Sequence, residues 1–346
     1  MAALSLDVII PTYNRARFLR ALLRSIAAAP VPPDLSPSVI VVDNGSTDNT
    51  RAVAERMSRR FKGRFRYVLE TRPGKSAALN AGIRATTGDI VAFLDDDETI
   101  SAGWFHTVAR AFRHDAIDFI SGRCLPRWKS TARPRWLPPR YPAVIGAVDA
   151  GTRTLEFRRD YDGTLSGGNS AVRRTILDRV GLFSTRLGPR ADSRLLCCED
   201  EDIYLRLLDA GARGVYSPDL LVYHHVHTER LTRGYHRRWC FWRGVSKAFL
   251  HDGRKPDLPH VGSVPRFLYG AAARGLVRLL RPSLAAHGAA QRFSAELAIW
   301  DLAGFMYGRY LYRPAEAPFV EVTGDAAAAG AAGVRDAPAV RVAAIG

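Results

Sequence analysis

The protein has 346 residues, of which 47% are hydrophobic and 24% are charged, a composition typical of globular domains. Its net charge of +16 is concentrated in two stretches, residues 121–140 and 229–312. No helix-turn-helix, zinc-finger or RNP-like pattern accompanies these basic stretches, so we expect no nucleic-acid partner. A phosphorylated ligand and an anionic membrane surface remain as alternatives.

The cysteines and the first residues indicate the compartment. The four cysteines lack the spacing of a zinc site, and we interpret the adjacent Cys197 and Cys198 as packing residues. No basic and apolar leader precedes the first predicted strand, and no uncharged apolar run reaches the length of about 18 residues that a spanning helix needs. We therefore expect a reduced, cytoplasmic protein, with peripheral attachment to the inner face of the membrane as the open alternative.

Short apolar strands alternate with helical patterns along the first two thirds of the chain. Strands are predicted at 6–10, 38–42, 65–69, 90–94, 117–124 and 220–226, and helices at 74–86, 101–114, 171–180 and 199–211, with two more following the caps Asn14 and Asp48. This alternation predicts an α/β fold, a mostly parallel sheet flanked by helices. Polar loops that follow the parallel strands should then meet at one edge of the sheet.

The segment Gly88–Glu98, GDIVAFLDDDE, is the one around which we expect the rest to be organised. An apolar strand, predicted to be buried on both faces, is followed at once by Asp95, Asp96, Asp97 and Glu98. Carboxylates packed this closely repel each other by about 1 kcal/mol or more per pair unless a cation joins them. Oxygen ligands of this kind suit Mg²⁺ or Mn²⁺. The segment therefore predicts a metal site, against the alternative of a solvated acidic turn.

Further polar segments follow in the second half of the chain. Residues 123–142 form a long loop rich in proline, tryptophan and basic residues, and residues 162–169 are glycine-rich. Residues 199–202 open a helix with four acidic side chains, more than dipole capping requires. We expect residues 1–120 and 121–228 to be two halves of one domain, residues 229–312 to be a basic helical extension, and residues 313–346 to be a disordered tail rich in alanine and glycine.

Six motifs, in their order and spacing, resemble those of family 2 glycosyltransferases. They are VIIPTYNR (8–15), VVDNGSTDNT (41–50), RPGKSAALNAGI (72–83), FLDDDE (93–98), SGGNSAVRR (166–174) and CEDEDIYLRLLDAG (198–211). The resemblance covers residues 5–230, and it is specific in combination although each motif alone is weak. It implies a GT-A fold, a nucleotide-sugar donor, a divalent metal and inversion at the anomeric carbon.

The resemblance also implies a role for individual residues. It places Pro11, Tyr13 and Asp43 around the base and ribose of the donor, Arg72, Lys75 and Asn80 along the nucleotide, and Asp95 and Asp96 beside the donor in the DxD motif. The metal would be held by Asp97 and His224. The alternative for His224 is that it is an ordinary residue at the end of a strand. Asp200 matches the general base, and the donor sugar or the acceptor would contact Gly167, Gly168, Asn169 and Glu199.

The sequence thus predicts a metal-dependent, inverting glycosyltransferase that uses Mn²⁺ or Mg²⁺. It would move one sugar to a hydroxyl of a glycan or lipid-linked acceptor, in surface polysaccharide or glycolipid synthesis. The first expectation for the donor is a UDP-sugar, with a GDP- or dTDP-sugar as the alternatives. The alternatives are a degenerate module that binds glycans or membranes without turnover, and a nucleotidyltransferase. The second would more naturally show a glycine-rich phosphate loop where this chain has PTYNR (11–15).

The C-terminal extension leaves two further alternatives open. Tyr235–Trp239 partly resembles the QxxRW motif of processive synthases, but Tyr235 replaces the glutamine and the membrane spans are missing, so we expect a non-processive enzyme. Arg237 and Arg238 are either a solvated helix face or a contact for a diphosphate or a lipid headgroup. The apolar stretches 264–280 and 293–312 either pack on their own domain or form a peripheral membrane surface.

Overall fold

The computed structural model describes residues 3–113, 116–128, 133–138, 142–159, 165–190, 194–252, 258–280, 288–312 and 342–343. The strands are β1 (Leu4–Thr12), β2 (Leu35–Asp43), β3 (Phe65–Leu69), β4 (Ile90–Leu94), β5 (Glu98–Ile100), β6 (Phe119–Arg127), β7 (Leu155–Glu156), β8 (Asn169–Arg173), β9 (Gly214–His225), β10 (His260–Val261), β11 (Val264–Pro265) and β12 (Val342–Ala343). The helices are α1 (Ala16–Ala28), α2 (Thr50–Ser58), α3 (Lys75–Arg84), α4 (Trp104–Phe112), α5 (Arg174–Val180), α6 (Glu199–Asp209), α7 (Arg233–Asp252), α8 (Arg266–Leu280) and α9 (Ala289–Tyr310). The predicted disordered tail lies outside the described residues, apart from β12, as do parts of the predicted loops 123–142 and 162–169.

One sheet, with the strand order β12-β3-β2-β1-β4-β8-β6-β9-β5 and with β7 paired to β9, forms the centre of the protein. The strands β3, β2, β1 and β4 are parallel, as predicted. The strand β8 then pairs antiparallel with both β4 and β6, and β5 pairs antiparallel with β9. The predicted α/β class is confirmed, and the sheet is mixed: its first half is parallel and its second half largely antiparallel.

The prediction of a helix over 171–180 was wrong in its first turn. Residues 169–173 are β8, and the helix α5 starts only at Arg174. Little in SGGNSAVRR favours a strand, but the segment lies between β4 and β6, where its backbone groups complete two ladders. Long-range pairing therefore overrides the local preference.

Helices cover both faces of the sheet. One layer packs α1, α2 and α4 through residues such as Leu22, Val53 and Trp104 against alternate strand residues. The other layer packs α3, α5 and α6 against the opposite face, where Ile9 and Phe93 lie in the centre. Because successive strand residues point to opposite faces, β1 and β4 are buried on both sides, as their uninterrupted apolar sequences predict.

The polar loops meet at one edge of the sheet, as predicted. In the register of β1 and β2, Thr12 lies opposite Asp43, and Ile9 lies opposite Phe93 of β4. The prediction of Asn14 as a helix cap was wrong: its Oδ1 accepts hydrogen bonds from the backbone N–H groups of Thr47 and Asp48 instead. The helix α1 is capped from the neighbouring loop, because Asp48 accepts a hydrogen bond from the N–H of Ala16.

The C-terminal extension is helical, and α9 links its other two helices. Arg237 and Arg243 of α7 form ion pairs with Glu296 and Asp301 of α9, at 2.6 and 2.7 Å. Arg237 is therefore a link between two helices, which neither of the alternatives from the sequence describes. No helix in the described part of the chain combines the length and the apolar character that a membrane crossing requires.

Candidate active site

Asp97, at the carboxyl end of β4, is the centre of a cluster of histidine and arginine side chains. Its Oδ1 lies 3.3 Å from Nε2 of His224, and its Oδ2 lies 2.8 Å from Nε2 of His227. Arg15 Nη1 approaches the same Oδ2 to 2.8 Å, and Arg230 Nη2 lies 4.0 Å away. Burial alone would raise the pKa of Asp97, but His224, His227 and Arg15 outweigh it and hold that pKa well below its usual range. Asp97 is thus a buried carboxylate kept ionised by its neighbours.

Asp96 ties this cluster to the end of β1. Thr12 Oγ1 donates a hydrogen bond of 2.7 Å to its Oδ2, and Arg15 Nη1 lies 3.0 Å from its Oδ1. Burial raises the pKa of Asp96, against the lowering effect of Arg15 and with a further raising effect from Asp97. One guanidinium therefore pairs with two adjacent buried carboxylates.

Lys75, the first residue of α3, connects the DxD segment with the acidic N-terminus of α6. Its Nζ lies 2.7 Å from Asp95 Oδ1 and 3.5 Å from Glu199 Oε1. Burial alone would lower the pKa of Lys75, but the two carboxylates reverse the effect and raise it. The ammonium group is therefore charged and positioned between the two acidic groups that the sequence predicted to be functional.

Glu98 follows the DxD segment in the chain, and its buried side chain contacts that segment. Its Oε2 accepts a hydrogen bond of 3.2 Å from the backbone N–H of Asp95, and Cys124 Sγ lies 3.6 Å from its Oε1. Burial raises the pKa of Glu98 well above its usual range, and the carboxylates of Asp95 and Asp97 raise it further. Burial and the neighbouring carboxylates thus favour the protonated form of Glu98, which accepts a hydrogen bond from the turn at Asp95.

Gly167 and Gly168 lie between the DxD segment and Asp200. A Cβ added at Gly168 would lie 2.7 Å from Asp95 Oδ2 and 2.8 Å from Glu98 Oε1. One added at Gly167 would lie 2.9 Å from Asp200 Cβ. The N–H of Gly167 donates a long hydrogen bond of 3.4 Å to Asp200 Oδ2. Only residues without a side chain allow the backbone to pass this closely between both groups of carboxylates.

Asp200 combines a central position with a raised pKa. Burial and the adjacent Glu199 raise its pKa to about 7, against the lowering effect of Lys75. Asp202, two residues further along α6, instead forms an ion pair of 2.8 Å with Arg206. A carboxylate with a pKa near 7 can accept a proton at neutral pH and release it again, which is what a general base requires.

The residues expected around the donor base lie at the ends of β1 and β2. Pro11 is buried within β1, whereas the side chain of Tyr13 is 43% exposed at the edge. Asp43 is buried, and its two carboxylate oxygens accept hydrogen bonds from Ser46 N–H at 2.8 Å and Tyr67 O–H at 2.6 Å. The exposed ring of Tyr13 is therefore the group of this set that is free to stack on a base.

Two residues expected along the nucleotide, Arg72 and Asn80, form an ion pair and hydrogen bonds within the protein. The guanidinium of Arg72 pairs with Glu70 at 2.7 Å and remains about half exposed. Asn80 is buried, and its amide exchanges two hydrogen bonds of 2.8 Å with the backbone N–H and C=O of Phe183. The structure thus places Arg72 at the surface and Asn80 inside, where its amide holds the loop after α5.

Asn169, which the resemblance places at the donor sugar or the acceptor, is buried and bonded within the protein. The side chain has no exposed surface. Its Nδ2 donates hydrogen bonds to the carbonyls of Arg123 and Leu220, at 3.0 and 2.6 Å, and its Oδ1 accepts one of 2.9 Å from Trp104 Nε1. Three of the four strong hydrogen-bonding positions of the amide are thus in use, and they join Asn169 to the neighbouring strands and to Trp104.

A metal ion can be tested against the donor set at Asp97. In the described part of the chain, no three or more His, Cys, Asp and Glu side chains are arranged to hold an ion by themselves. Asp97 and His224 nevertheless present an oxygen and a nitrogen 3.3 Å apart, close to the ~3 Å between neighbouring ligands of an octahedral ion with bonds of about 2.1 Å. Nδ1 of His224 is buried without a hydrogen-bond partner among the described residues. The two residues therefore fit as a partial set, to be completed by substrate phosphates.

A glycine also fixes the position of His224. Gly146 has a φ of 72°, and a Cβ there would lie 2.5 Å from the imidazole ring. The loop of residues 142–149 thus packs its backbone on the face of His224, and any side chain at Gly146 would push the ring away from Asp97.

Three basic side chains beside Asp97 were missed from the sequence: Arg15, His227 and Arg230. Arg15 closes the motif PTYNR directly after β1, and His227 follows β9 three residues after His224. Nε of Arg230 is buried and, among the described residues, has no hydrogen-bond partner. Their common signal is a basic side chain within a few residues of a strand end at the edge that carries Asp97.

Comparison with known proteins identifies the family. The family model described as glycosyl transferase family 2 matches residues 7–181, half of the chain. The succinoglycan biosynthesis protein ExoM of Rhizobium meliloti (strain 1021) is 29% identical over 229 residues, 66% of this chain and 69% of that protein. The glucosyl-dolichyl phosphate glucuronosyltransferase of Haloferax volcanii is 25% identical over 257 residues, 71% and 77% of the two chains. Other curated relatives are matched over smaller shares of their own length, between 29% and 56%.

The fold is shared with solved structures. A mannosyltransferase from Pyrobaculum calidifontis, PcManGT in complex with GDP-Man and Mn²⁺, superimposes with a TM-score of 0.58 at 23% identity, over 90% of this chain and 88% of that one. This likeness confirms the predicted GT-A fold. Family membership therefore favours a glycosyltransferase over the two alternatives from the sequence, a nucleotidyltransferase and a binding module without turnover. The chain belongs to glycosyl transferase family 2 and is a glycosyltransferase.

Proposed function

We propose that this site transfers one sugar from a nucleotide-sugar donor to a hydroxyl of a glycan or lipid-linked acceptor, with inversion at the anomeric carbon and with a divalent metal. The observation that carries the proposal is the arrangement around the glycine pair. Asp95 lies beside Gly168, Asp200 lies beside Gly167, and Lys75 bridges the acidic groups on the two sides. One site thus contains an ammonium group that can stabilise negative charge, Lys75, and a proton acceptor, Asp200. The backbone of Gly167 and Gly168 passes between the acidic groups.

Activation of the acceptor falls to Asp200. A sugar or lipid-linked hydroxyl is a poor nucleophile, and a carboxylate within hydrogen-bond reach accepts its proton as the new bond to the anomeric carbon forms. The raised pKa of about 7 makes Asp200 a stronger base than an ordinary aspartate. Glu199 and Lys75 set this basicity in opposite directions, since Glu199 raises the pKa of Asp200 and Lys75 lowers it.

The opposite side of the site is suited to the leaving group. As the bond between the anomeric carbon and the diphosphate breaks, its electron pair stays on the phosphate oxygen, where negative charge grows. Mn²⁺ or Mg²⁺ held by Asp97 and His224 would offset that charge when bound. Arg15, His227 and Arg230, gathered around Asp97, are additional hydrogen-bond donors for the same purpose, and the two arginines also bring positive charge.

Inversion at the anomeric carbon is supported by the separation of Asp200 from the carboxylates of the DxD segment. A single displacement needs a base on the face opposite the leaving group. Among the described residues, Asp200 has a pKa raised to about 7 and lies beside Gly167, whereas Asp95 lies beside Gly168. Glu199, the nearest alternative, is buried and interacts with Lys75. Asp200 therefore serves as the base of a direct transfer without a glycosyl-enzyme intermediate.

The relatives support a choice of donor and acceptor classes. PcManGT was solved with GDP-Man and Mn²⁺, and another neighbour of the fold, GalNAc-T7, with UDP, GalNAc and Mn²⁺. We keep a UDP-sugar as the first expectation and GDP- or dTDP-sugars as alternatives. The names of ExoM and of the dolichyl phosphate enzyme refer to a polysaccharide and to a lipid-linked sugar, which supports surface polysaccharide or glycolipid assembly as the setting.

Release of nucleoside diphosphate tests this proposal without knowledge of the acceptor, because water can accept the sugar slowly. Purified protein is incubated with UDP-glucose, UDP-glucuronate, GDP-mannose and dTDP-rhamnose, each with Mn²⁺ or with EDTA. We expect metal-dependent release from one donor, loss in Asp97→Asn and Asp200→Asn, and a free sugar whose first-formed anomer, observed by NMR, is inverted. Metal-independent release, or a retained anomer, would contradict the proposed mechanism.

A further inference from the structure

Exposed apolar side chains are concentrated in the C-terminal extension. In the part of the chain that the structure describes, thirteen large hydrophobic residues are exposed, and ten of them lie between residues 258 and 311. The ten are Leu258, Val261, Phe267, Leu276, Val277, Leu280, Trp300, Met306, Tyr310 and Leu311. Single exposed hydrophobic residues are normal on protein surfaces, but a concentration in one segment marks an interaction site.

Helix α8 carries four of these residues on the side that faces away from the protein. Its inner side, with Leu268 and Ala272, is buried, and Leu268 packs against Phe305 of α9. Phe267, Leu276, Val277 and Leu280 are all about half exposed or more. The helix is thus apolar on both sides although only one side has a partner in the described structure.

The same outer side is positively charged. Arg266, Arg274 and Arg278 are exposed and form no ion pair with any other described residue. Residues 258–295 contain five arginines and no acidic residue. The outer face of α8, defined here as Phe267, Leu276, Val277 and Leu280 together with these three arginines, therefore combines apolar and cationic groups, and none of the described acidic side chains pairs with these arginines.

We propose that the outer face of α8 docks on an anionic lipid bilayer. A helix in the interfacial plane buries its apolar side chains at the acyl boundary while its arginines meet the lipid phosphates. Trp300 and Tyr310 of the neighbouring α9 are exposed aromatic residues, a type that is enriched at membrane interfaces.

The combination of groups argues for this occupant over others. A second copy of the chain would bring the same arginines against this face, and the like charges would repel. An acidic peptide or a nucleic acid would pair the arginines but leave four large apolar side chains in water. An anionic bilayer satisfies both sets of groups at once. The inference depends on neither the metal nor the base of the proposed reaction.

Co-sedimentation of the full chain with lipid vesicles tests the inference. Vesicles of phosphatidylcholine alone are compared with vesicles that contain phosphatidylglycerol. We expect binding to the anionic vesicles only, with release at about 1 M salt because screening then acts within roughly 3 Å. Each arginine near an anionic surface contributes about fivefold in partitioning, so the triple variant Arg266→Gln, Arg274→Gln, Arg278→Gln should bind about 100-fold more weakly.

A matched control separates this face from the net charge of the protein. Arg56, Arg59 and Arg60 are exposed in α2 and the turn that follows it, and their triple replacement by glutamine removes the same charge elsewhere. The control should bind vesicles within about twofold of the wild type, if each distant arginine acts only through screened long-range attraction. A third variant, Leu276→Ser with Leu280→Ser, should also lose binding while keeping the wild-type melting temperature, since both side chains are exposed.

The possible outcomes decide the inference. Equal losses in the two triple variants would show attraction by overall charge and overturn the assignment to α8. Absence of vesicle binding by the wild type would overturn it as well. So would a dimer in sedimentation velocity that becomes monomeric with the two serine replacements, because a second copy would then cover the face. Nucleoside diphosphate release by the triple variant without vesicles shows separately whether the reaction itself is intact.

Discussion

Replacement of Asp200 by asparagine is the most informative perturbation of the proposed reaction. The pKa of Asp200 is raised to about 7 by burial and by Glu199, so the base is half ionised at neutral pH. The ionised fraction is about one tenth at pH 6 and about nine tenths at pH 8, and kcat/KM should therefore rise almost tenfold between these values. An aspartate with an ordinary pKa near 4 would give no change over this range.

Asparagine keeps the size of the side chain but cannot accept the proton, and we expect a loss of kcat by a factor of about 10² to 10⁴ together with the loss of the rise between pH 6 and pH 8. The assay is the initial rate of nucleoside diphosphate release or of transfer to an acceptor. Asp202→Asn is the matched control, because Asp202 lies on the same helical turn and pairs with Arg206. The reasoning is refuted if Asp200→Asn retains activity, or if the wild-type rate does not change across this pH range.

Three further predictions concern the surroundings of the site. Gly168→Ala should lower the free energy of unfolding by about 1 to 3 kcal/mol through the approach to Asp95, whereas Gly103→Ala, which meets no atom within 4 Å, should be almost neutral; equal melting temperatures in the two variants would contradict this. Glu98→Gln should gain stability relative to the wild type as the pH rises from 5 to 8. The folded pKa of Glu98 lies above its unfolded value, so the wild type loses stability in that window, and a pH-independent difference in thermal melts would count against a neutral Glu98. Arg237→Gln should leave kcat unchanged and cost about 1 kcal/mol or less in chemical denaturation, because Arg237 pairs with Glu296; a drop in kcat would instead place it at the diphosphate.

Much of the fold and the acidic centre of the site could be predicted from local patterns. The strand β3 has the predicted bounds, and β4 has the predicted burial on both faces. The position of Asp95 to Asp97 follows from the rule that parallel strands of a sheet end at one edge. The acidic start of α6 was also recognisable, because four carboxylates exceed what a helix dipole needs.

The roles of the amide side chains could not be predicted, because they depend on distant partners. Asn80 bonds to Phe183, 103 positions away, and Asn169 bonds to Leu220, 51 positions away. A motif match suggests a ligand contact for such residues, but only the structure shows that their amides already form hydrogen bonds within the protein. The strand β8 was missed for the same reason, since its partners β4 and β6 supply the stability that its own residues lack.

The basic residues around Asp97 were missed, although their positions near strand ends could have been anticipated. Arg15 follows β1 and His227 follows β9, and both strands end at the same edge as β4. A carboxylate that is buried at such an edge needs compensating positive charge. A search for basic residues within a few positions of each strand end would have found both.

Binding of nucleotide and metal at Asp97 is the most direct test of the account. Thermal unfolding of the purified protein is followed with UDP, GDP, dTDP and CDP, each with Mn²⁺ or with EDTA, and repeated on Asp97→Asn. A ligand at a hundred times its dissociation constant stabilises the fold by about 2.7 kcal/mol. We predict a rise in melting temperature for one nucleotide, only with Mn²⁺ and only with Asp97 intact. An equal rise in EDTA or in the variant would contradict a donor site that is completed by metal at this carboxylate.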